Sequence, residues 1–144
     1  MLWPWQRKKG KALTPAQETG RAGERAAERY LRKRGCRTLA RNVSYRQGEV
    51  DLVALEKKTG TLVFVEVRSR ALGEGEEPFA APEQTVTLAK RRRIISAART
   101  FLAQHGLGHE TPVRFDIVGV YFDGDDRKRP RIKHFSGAFD ATGR

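Results

Sequence analysis

The sequence has few of the residues on which several common kinds of protein site depend. It contains one cysteine, Cys36, and three histidines among 144 residues. A single cysteine excludes an internal disulfide and any zinc site built from several thiolates, and it suits a reducing compartment. We expect Cys36 to be a free, buried thiol and not a nucleophile.

Long apolar runs are also missing. No run approaches the roughly 20 apolar residues that a membrane-spanning helix needs, and the first ten residues lack the apolar core of a signal peptide. We therefore expect a soluble, cytoplasmic protein without membrane contact. The length suits one domain, and we predict a basic N-terminal arm over 1–13, a single domain over 14–136 and a tail over 137–144.

Acidic residues are in the minority, with 17 Asp and Glu against 29 Lys and Arg, so the net charge is +12. Residues 1–48 carry 13 basic and three acidic side chains, whereas residues 71–84 carry four glutamates and no basic residue. This balance predicts a polyanionic partner, in the first place a nucleic acid. Small ribosome-associated proteins share such a charge, so charge alone does not identify the partner.

The most informative stretch that is present is a pair of alternating segments, 48–55 and 61–68, joined by the polar, turn-forming residues 56–60. This pattern predicts a β-hairpin. A register that pairs Leu55 with Leu62 keeps one face of the hairpin apolar, and a slip by one residue would bring charges into that face.

The same register places Asp51 opposite Glu66, and Glu49 opposite Arg68. Directly opposed side chains have Cβ atoms about 4.5–5.5 Å apart, so the two carboxylates repel unless a proton or a cation lies between them. The compensating cation is either Arg68 or a divalent metal, since Mg²⁺ favours one or two carboxylates and several waters. For Glu49 an ion pair with Arg68 is favoured over a metal-ligand role or a solvent-facing position.

A first helix is predicted from about Pro15 to Arg34. Thr14 and Gln17 form a capping box at its start, and Gly35 ends it.

The inward stripe of this helix is rich in small residues, which include Gly20 and Gly23. Each glycine costs up to about 1 kcal/mol relative to alanine, so a close approach of the backbone to a neighbour is the expected compensation. Glu24 lies beside the stripe. It is either a partly exposed partner of Arg21 or of a neighbouring basic side chain, or a carboxylate directed at the hairpin site.

A second helix is predicted over about 86–104, and its first half carries the basic cluster Lys90, Arg91, Arg92 and Arg93. Such a cluster is usually a solvated face, but the net charge favours contact with phosphates. Further strands are predicted over 113–122 and 131–135. On the first of these, Asp116 is expected to be a structural partner of Arg114 and not a catalyst.

The order helix–strand–strand–strand–helix–strand, with Asp51 on one hairpin strand and Glu66-x-Arg68 on the next, resembles the PD-(D/E)xK, or restriction-endonuclease-like, superfamily. A wider pattern resembles the YraN family of small bacterial proteins, which is related in fold to archaeal Holliday-junction resolvases. That pattern is Gly23-Glu24…Ala27…Tyr30-Leu31…Gly35…Arg41-Asn42…Gly48-Glu49-Val50-Asp51-Leu52…Val63-Phe64-Val65-Glu66-Val67-Arg68…Lys90…Arg114-Phe115-Asp116.

The resemblance implies an α/β fold with a restriction-endonuclease-like αβββαβ core, in which helices flank a mixed central sheet. It implies a metal-dependent, structure-directed DNA endonuclease, with Mg²⁺ or Mn²⁺ held by Asp51, Glu66 and Glu24. The catalytic set would be these three acids and Arg68, and residues 90–93 would contact the nucleic acid. The resemblance favours DNA over RNA as substrate, and analogy suggests a homodimer.

One departure from the family pattern concerns Arg68, whose position normally holds a lysine. Arginine stays charged and cannot act as a base, although it can stabilise negative charge that develops on a phosphate. Lys90 is another source of an amine. The alternative function is therefore a non-catalytic nucleic-acid-binding protein with a degenerate site, and a third is a basic ribosome-assembly factor that binds rRNA.

Overall fold

The computed structural model describes residues 12–78 and 85–144. It contains two helices and five strands. In chain order they are α1 (Pro15–Lys33), β1 (Cys36–Tyr45), β2 (Gly48–Glu56), β3 (Thr61–Leu72), α2 (Leu88–Gln104), β4 (Val113–Asp123) and β5 (Asp126–Phe139). The predicted order of helices and strands is confirmed. Across these ranges, neither helix combines the length and the apolar character that crossing a bilayer demands.

The five strands form one mixed sheet whose spatial order follows the chain, β1-β2-β3-β4-β5. Only β3 and β4 run parallel, and the other neighbours are antiparallel. A parallel pair needs a crossover connection, and α2 lies within it, between β3 and β4 in the chain.

The helix ends follow the sequence signals. The Thr14 side chain accepts a hydrogen bond from the Gln17 backbone, and the Gln17 side chain accepts one from the Thr14 backbone, so the capping box is confirmed. Gly35 has a φ of +86°, a conformation that glycine adopts readily just after a helix. The second helix begins after Thr87, whose hydroxyl accepts from the backbone N–H of Lys90.

Two apolar cores lie on opposite faces of the sheet. The α2-side core contains Val50, Val53, Leu62, Phe64, Ile94, Ile95, Phe101, Phe115, Ile117 and Phe139. The α1-side core contains Ala22, Ala26, Ala27, Leu31, Cys36, Leu52, Ala54, Val63, Val65, Val118, Val120 and Phe122. Cys36 is free and buried, as expected. Val50 and Leu52 are two positions apart yet belong to different cores, so strict alternation fails at Asp51 between them.

The last strand is longer than the predicted 131–135. It reaches Phe139, which is buried in the α2-side core, and the carbonyl of Gly143 accepts a hydrogen bond from Arg91. Residues 137–144, predicted as a tail, therefore pack on the domain. Two predicted features lie largely or partly outside the described residues. They are the basic arm, of which residues 1–11 are not described, and the acidic stretch 71–84, of which residues 79–84 are not described.

Two glycines of α1 have different surroundings. A Cβ built at Gly23 would overlap the Ser69 hydroxyl and lie 2.6 Å from Ser69 Cβ on β3. A Cβ at Gly20 would meet nothing within 4 Å. The expected close approach is thus confirmed at Gly23 and wrong at Gly20, because only Gly23 faces β3.

We expect Gly20→Ala and Gly23→Ala to change stability in opposite directions. Both remove the entropic cost of glycine in a helix, worth about 0.5–1 kcal/mol. Gly23→Ala also forces α1 away from β3, an overpacking cost of about 1–3 kcal/mol. Urea unfolding of the two variants compares them directly, and equal stabilisation by both would contradict the contact with Ser69.

Candidate functional site

The predicted hairpin register is confirmed in the closed part of the hairpin. The ladder between β2 and β3 runs from the Glu56–Thr61 pair to the Leu52–Val65 pair. The predicted opposition of Asp51 and Glu66 falls one step beyond its last pair.

Past this point the two strands have different neighbours. Val50 pairs with Val43 of β1, whereas Glu66 pairs with Ile117 of β4. We call this place the β2–β3 fork, defined by Asp51 on β2 and Glu66 on β3.

Inside the fork, the carboxylate of Asp51 bonds to the backbone of the opposite strand. The N–H of Val67 donates to Asp51 Oδ2 at 2.8 Å. Glu66 is only 4% exposed, and its Oε2 has no hydrogen-bond partner in the described part of the chain. The fork therefore holds two acids, of which one has a buried oxygen with an unmet requirement for a proton or a cation.

The electrostatics of the pair reflect burial first. Burial and then the charge of Asp51 raise the pKa of Glu66 to about 8. Burial also raises the pKa of Asp51, while the Val67 N–H and the charge of Lys90 oppose that rise. At neutral pH the pair therefore retains a proton unless a cation replaces it.

Lys90 of α2 reaches the fork. Its Nζ lies 2.9 Å from Glu49 Oε1 and 3.9 Å from Glu66 Oε1. Arg68 Nη1 is also 3.9 Å from Glu66 Oε1. The predicted Glu49–Arg68 ion pair is wrong, because α2 lies over this face of the sheet and brings Lys90 and Arg93 to Glu49 instead.

A close contact of backbones sets the position of α2. A Cβ built at Gly48, at the start of β2, would overlap the Arg93 carbonyl and lie 3.0 Å from the Ala97 nitrogen. Only glycine permits this approach. The sequence signal for it was the glycine that opens the hairpin, next to Glu49.

Glu24 approaches the fork from the α1 side. Burial raises its pKa, and the charge of Asp51 raises it further. No ion pair joins it to Arg21 within the described ranges, but the charges of Arg21 and Arg25 lower its pKa, so both alternatives for Glu24 stay predictions. However, no group of three His, Cys, Asp or Glu residues in those ranges is placed to hold a metal ion. The metal set of Glu24, Asp51 and Glu66 stays a prediction.

The predicted nucleic-acid cluster on α2 does not form one surface. Lys90 and Arg93 contact Glu49, and Arg91 donates to the Gly143 carbonyl at 3.2 Å. Among the described residues, Arg92 alone of the four has no ion-pair or hydrogen-bond partner. Consecutive helical residues point about 100° apart, so four in a row cannot share one face.

Asp116 is a structural residue, as predicted. It is fully buried and accepts hydrogen bonds from Arg114 Nε at 2.9 Å, His134 Nε2 at 2.7 Å and the Gly137 N–H at 3.0 Å. Burial alone would raise the pKa of Asp116. The hydrogen bonds outweigh burial and lower the pKa, and the bond from His134 contributes most. The cluster ties β4 to β5.

Another buried acid, Glu28 of α1, was not among the candidate residues. Arg41 of β1 bonds to both of its carboxylate oxygens, and Arg32 donates to Oε1 at 3.0 Å. The four-residue spacing of Glu28 and Arg32 on a helix could have indicated part of this network. The long-range partner Arg41 could not be inferred from spacing.

The model of the family described as "Uncharacterised protein family UPF0102" matches residues 23–120, more than half of the chain and the part that contains the fork. The chain belongs to family UPF0102. The resemblance to the YraN family is thereby confirmed.

Relatives in UPF0102 match over most of their length. The chain is 46% identical over 129 residues to a UPF0102 protein of Anaeromyxobacter dehalogenans, covering 89% of this chain and 88% of the relative. It is 42% identical over 120 residues to one of Pelotomaculum thermopropionicum, covering 83% and 93%.

Among solved structures, SfsA of Pyrococcus furiosus in complex with Ca²⁺ covers 84% of this chain and 63% of its own. The identity is 14% and the TM-score 0.34.

We expect the stability of the metal-free protein to fall as the pH rises from about 4.5 to about 8. In that interval the folded state holds a proton on Glu66 that the unfolded state has released. The loss should reach a few kcal/mol, since one pKa unit corresponds to about 1.4 kcal/mol. Urea unfolding in EDTA across this pH range measures it.

Glu66→Gln should flatten this dependence, because the amide does not titrate. Glu74→Gln, at an exposed position, is the matched control and should leave the dependence unchanged. An identical pH profile in wild type and Glu66→Gln would show that Glu66 is not the titrating group.

Proposed function

We propose that this chain is a metal-dependent, structure-directed DNA endonuclease with a restriction-endonuclease-like core. The observation that carries the proposal is the Asp51–Glu66 pair in the β2–β3 fork. The pair joins a buried acid, Glu66, to a half-buried one, Asp51, and acids with perturbed pKa values are enriched at functional sites. A cation between them would satisfy both the charge and the unpartnered oxygen of Glu66.

The residues of the fork fit a small divalent cation. Asp51 and Glu66 offer hard carboxylate oxygens, and Mg²⁺ or Mn²⁺ commonly binds one or two carboxylates and completes its shell with water. Two protein ligands are therefore sufficient, although the described residues hold no three-residue set. When bound, the ion would polarise the scissile phosphate and lower the pKa of its water.

The cationic side chains at the fork would act on the phosphate. Arg68 and Lys90 each lie 3.9 Å from Glu66 Oε1, so both border the place where a phosphodiester would approach the acids. Fixed positive charges there stabilise negative charge that develops during hydrolysis. Lys90 brings an amine from α2 to the fork, and Glu49 holds that amine in place at 2.9 Å.

The substrate preference follows from the type of contact. Arginine and lysine at the fork would contact phosphates, which position a nucleic acid without reading its bases. We therefore propose recognition of DNA by its structure and not by its sequence. DNA as substrate, a cytoplasmic location and a homodimer that cuts two strands extend the proposal by analogy with the resembling families.

A non-catalytic nucleic-acid-binding protein is the second candidate. Arg68 stands where the resembling families have lysine, and an arginine cannot accept a proton from water. This candidate predicts salt-sensitive binding without cleavage.

We expect wild type to nick plasmid or branched DNA in the presence of Mn²⁺, and Asp51→Ala to lose this activity by about 100-fold or more. The loss reflects several kcal/mol of metal-dependent stabilisation of the transition state. Gel assays of nicked product measure the activity, and calorimetry with Mn²⁺ measures binding to both proteins.

The matched control is Asp125→Ala, which removes an exposed acid from the β4–β5 turn and should cut at the wild-type rate. Cutting by Asp51→Ala at the wild-type rate would refute the assignment.

We expect Arg68→Lys to keep Mn²⁺ binding and to nick DNA faster than wild type, because a lysine can orient or deprotonate water. A gain from an inactive wild type would support the second candidate, a degenerate nuclease site. If Lys90 already supplies the amine, Arg68→Lys should gain little and Lys90→Met should lose most activity. Nicking rates of the two variants distinguish these cases.

A further inference from the structure

A concave surface lies between α1 and the β1–β2 pair, on the face of the sheet opposite α2. Its volume is about 570 Å³. We call it the α1 groove, and its lining residues are Arg21, Glu24, Arg25, Glu28, Arg41, Asn42 and Leu52. None of its arginines belongs to the cluster on α2 that the sequence singled out.

One wall of the groove carries two available cations. Arg21 and Arg25 are exposed, and neither has a hydrogen bond or an ion pair with any residue in the described ranges. They lie one helical turn apart, about 6 Å along the axis. The cations of α2 differ, since Lys90, Arg91 and Arg93 are bound to other groups of the protein.

The opposite wall carries a fixed cation. The guanidinium of Arg41 bonds to both oxygens of Glu28 and still has a side chain 60% exposed. Arg32 adds a second cation to Glu28, so this acid does not leave the groove negative. Asn42 follows with a φ of +48°, an uncommon conformation for a residue with a side chain.

The groove lies beside the β2–β3 fork. Glu24 lines the groove, and the charge of Asp51 raises the pKa of Glu24. Leu52, the residue after Asp51, belongs to the same lining. A bound polymer that lay along the groove would therefore come close to the two acids of the fork.

We propose that the α1 groove binds the phosphodiester backbone of one DNA strand and leads it to the β2–β3 fork. Arg21 and Arg25 would contact phosphates, and Arg41 would face them from the other wall. The inference rests on the proposed function for the role of the fork, but the binding of the strand is tested without cleavage.

The test is the salt dependence of binding. A fluorescein-labelled branched DNA is titrated in EDTA with wild type, Arg21→Gln/Arg25→Gln, and the control Lys57→Gln/Lys58→Gln. The control removes two exposed charges at the hairpin turn, away from the fork. Each phosphate contact contributes about 0.7–0.9 to the slope of log K against log salt.

We expect the α1 double variant to lower that slope by about 1.4–1.8 relative to wild type, and the control to leave it nearly unchanged. Arg21→Lys/Arg25→Lys should restore the slope, which separates lost charge from altered folding. Equal losses in the α1 variant and the control would overturn the groove, because binding would then follow net charge.

Failure of the groove and failure of the proposed function give different results. If wild type nicks DNA and Asp51→Ala does not, but the α1 variant binds with the wild-type slope, only the groove is refuted. If neither wild type nor any variant nicks DNA, but Arg21→Gln/Arg25→Gln lowers the slope of log K against log salt, the groove stands and the endonuclease is refuted.

Discussion

The candidate site of this UPF0102 chain depends on two neighbouring acids, Asp51 and Glu66, which cannot both be charged without a cation beside them. Both acids lie on strands of the sheet, and Glu66 is buried whereas Asp51 is half-buried. The Val67 N–H stabilises one acid, and the cations of Arg68 and Lys90 approach the other only to 3.9 Å. The compensation is incomplete, and this deficit is the strongest reason to expect a ligand there.

Two glycines allow the helices to bring charged groups to that place from opposite faces. Gly23 lets α1 approach Ser69 of β3, which places Glu24 near Asp51. Gly48 lets α2 approach the start of β2, which places Lys90 between Glu49 and Glu66. A methyl group at either position would move a helix and the charge it carries. The two glycines therefore affect the site by setting how closely each helix approaches the sheet.

The register of the hairpin could be predicted because only one pairing keeps its charges out of the core. The capping box at Thr14 and the partnership of Arg114 with Asp116 depend on neighbours along the chain or on one strand, so they were also accessible. The partner of Glu49 was not, because it depends on the rotation and depth of α2. For the same reason the four basic residues of α2 could be recognised as a cluster but not assigned to separate partners.

Other differences arose where long-range packing decides the outcome. Nothing in the local pattern shows that Phe139 completes the α2-side core, so residues 137–144 read as a tail. The three-acid metal set came from the resemblance, and the position of Glu24 relative to the other two acids depends on how α1 packs against the sheet.

The break in the β2–β3 ladder has a mechanical consequence. Asp51 and Glu66 stand on two strand segments that are each anchored to a different neighbour, β1 in one case and β4 in the other. At that level the segments are joined by the side-chain bond from the Val67 N–H to Asp51 and not by a backbone ladder pair, so we expect the gap between them to deform more easily than a spacing inside the ladder. An ion held by both acids would link the β1–β2 part of the sheet to the β3–β4 part and limit their relative motion.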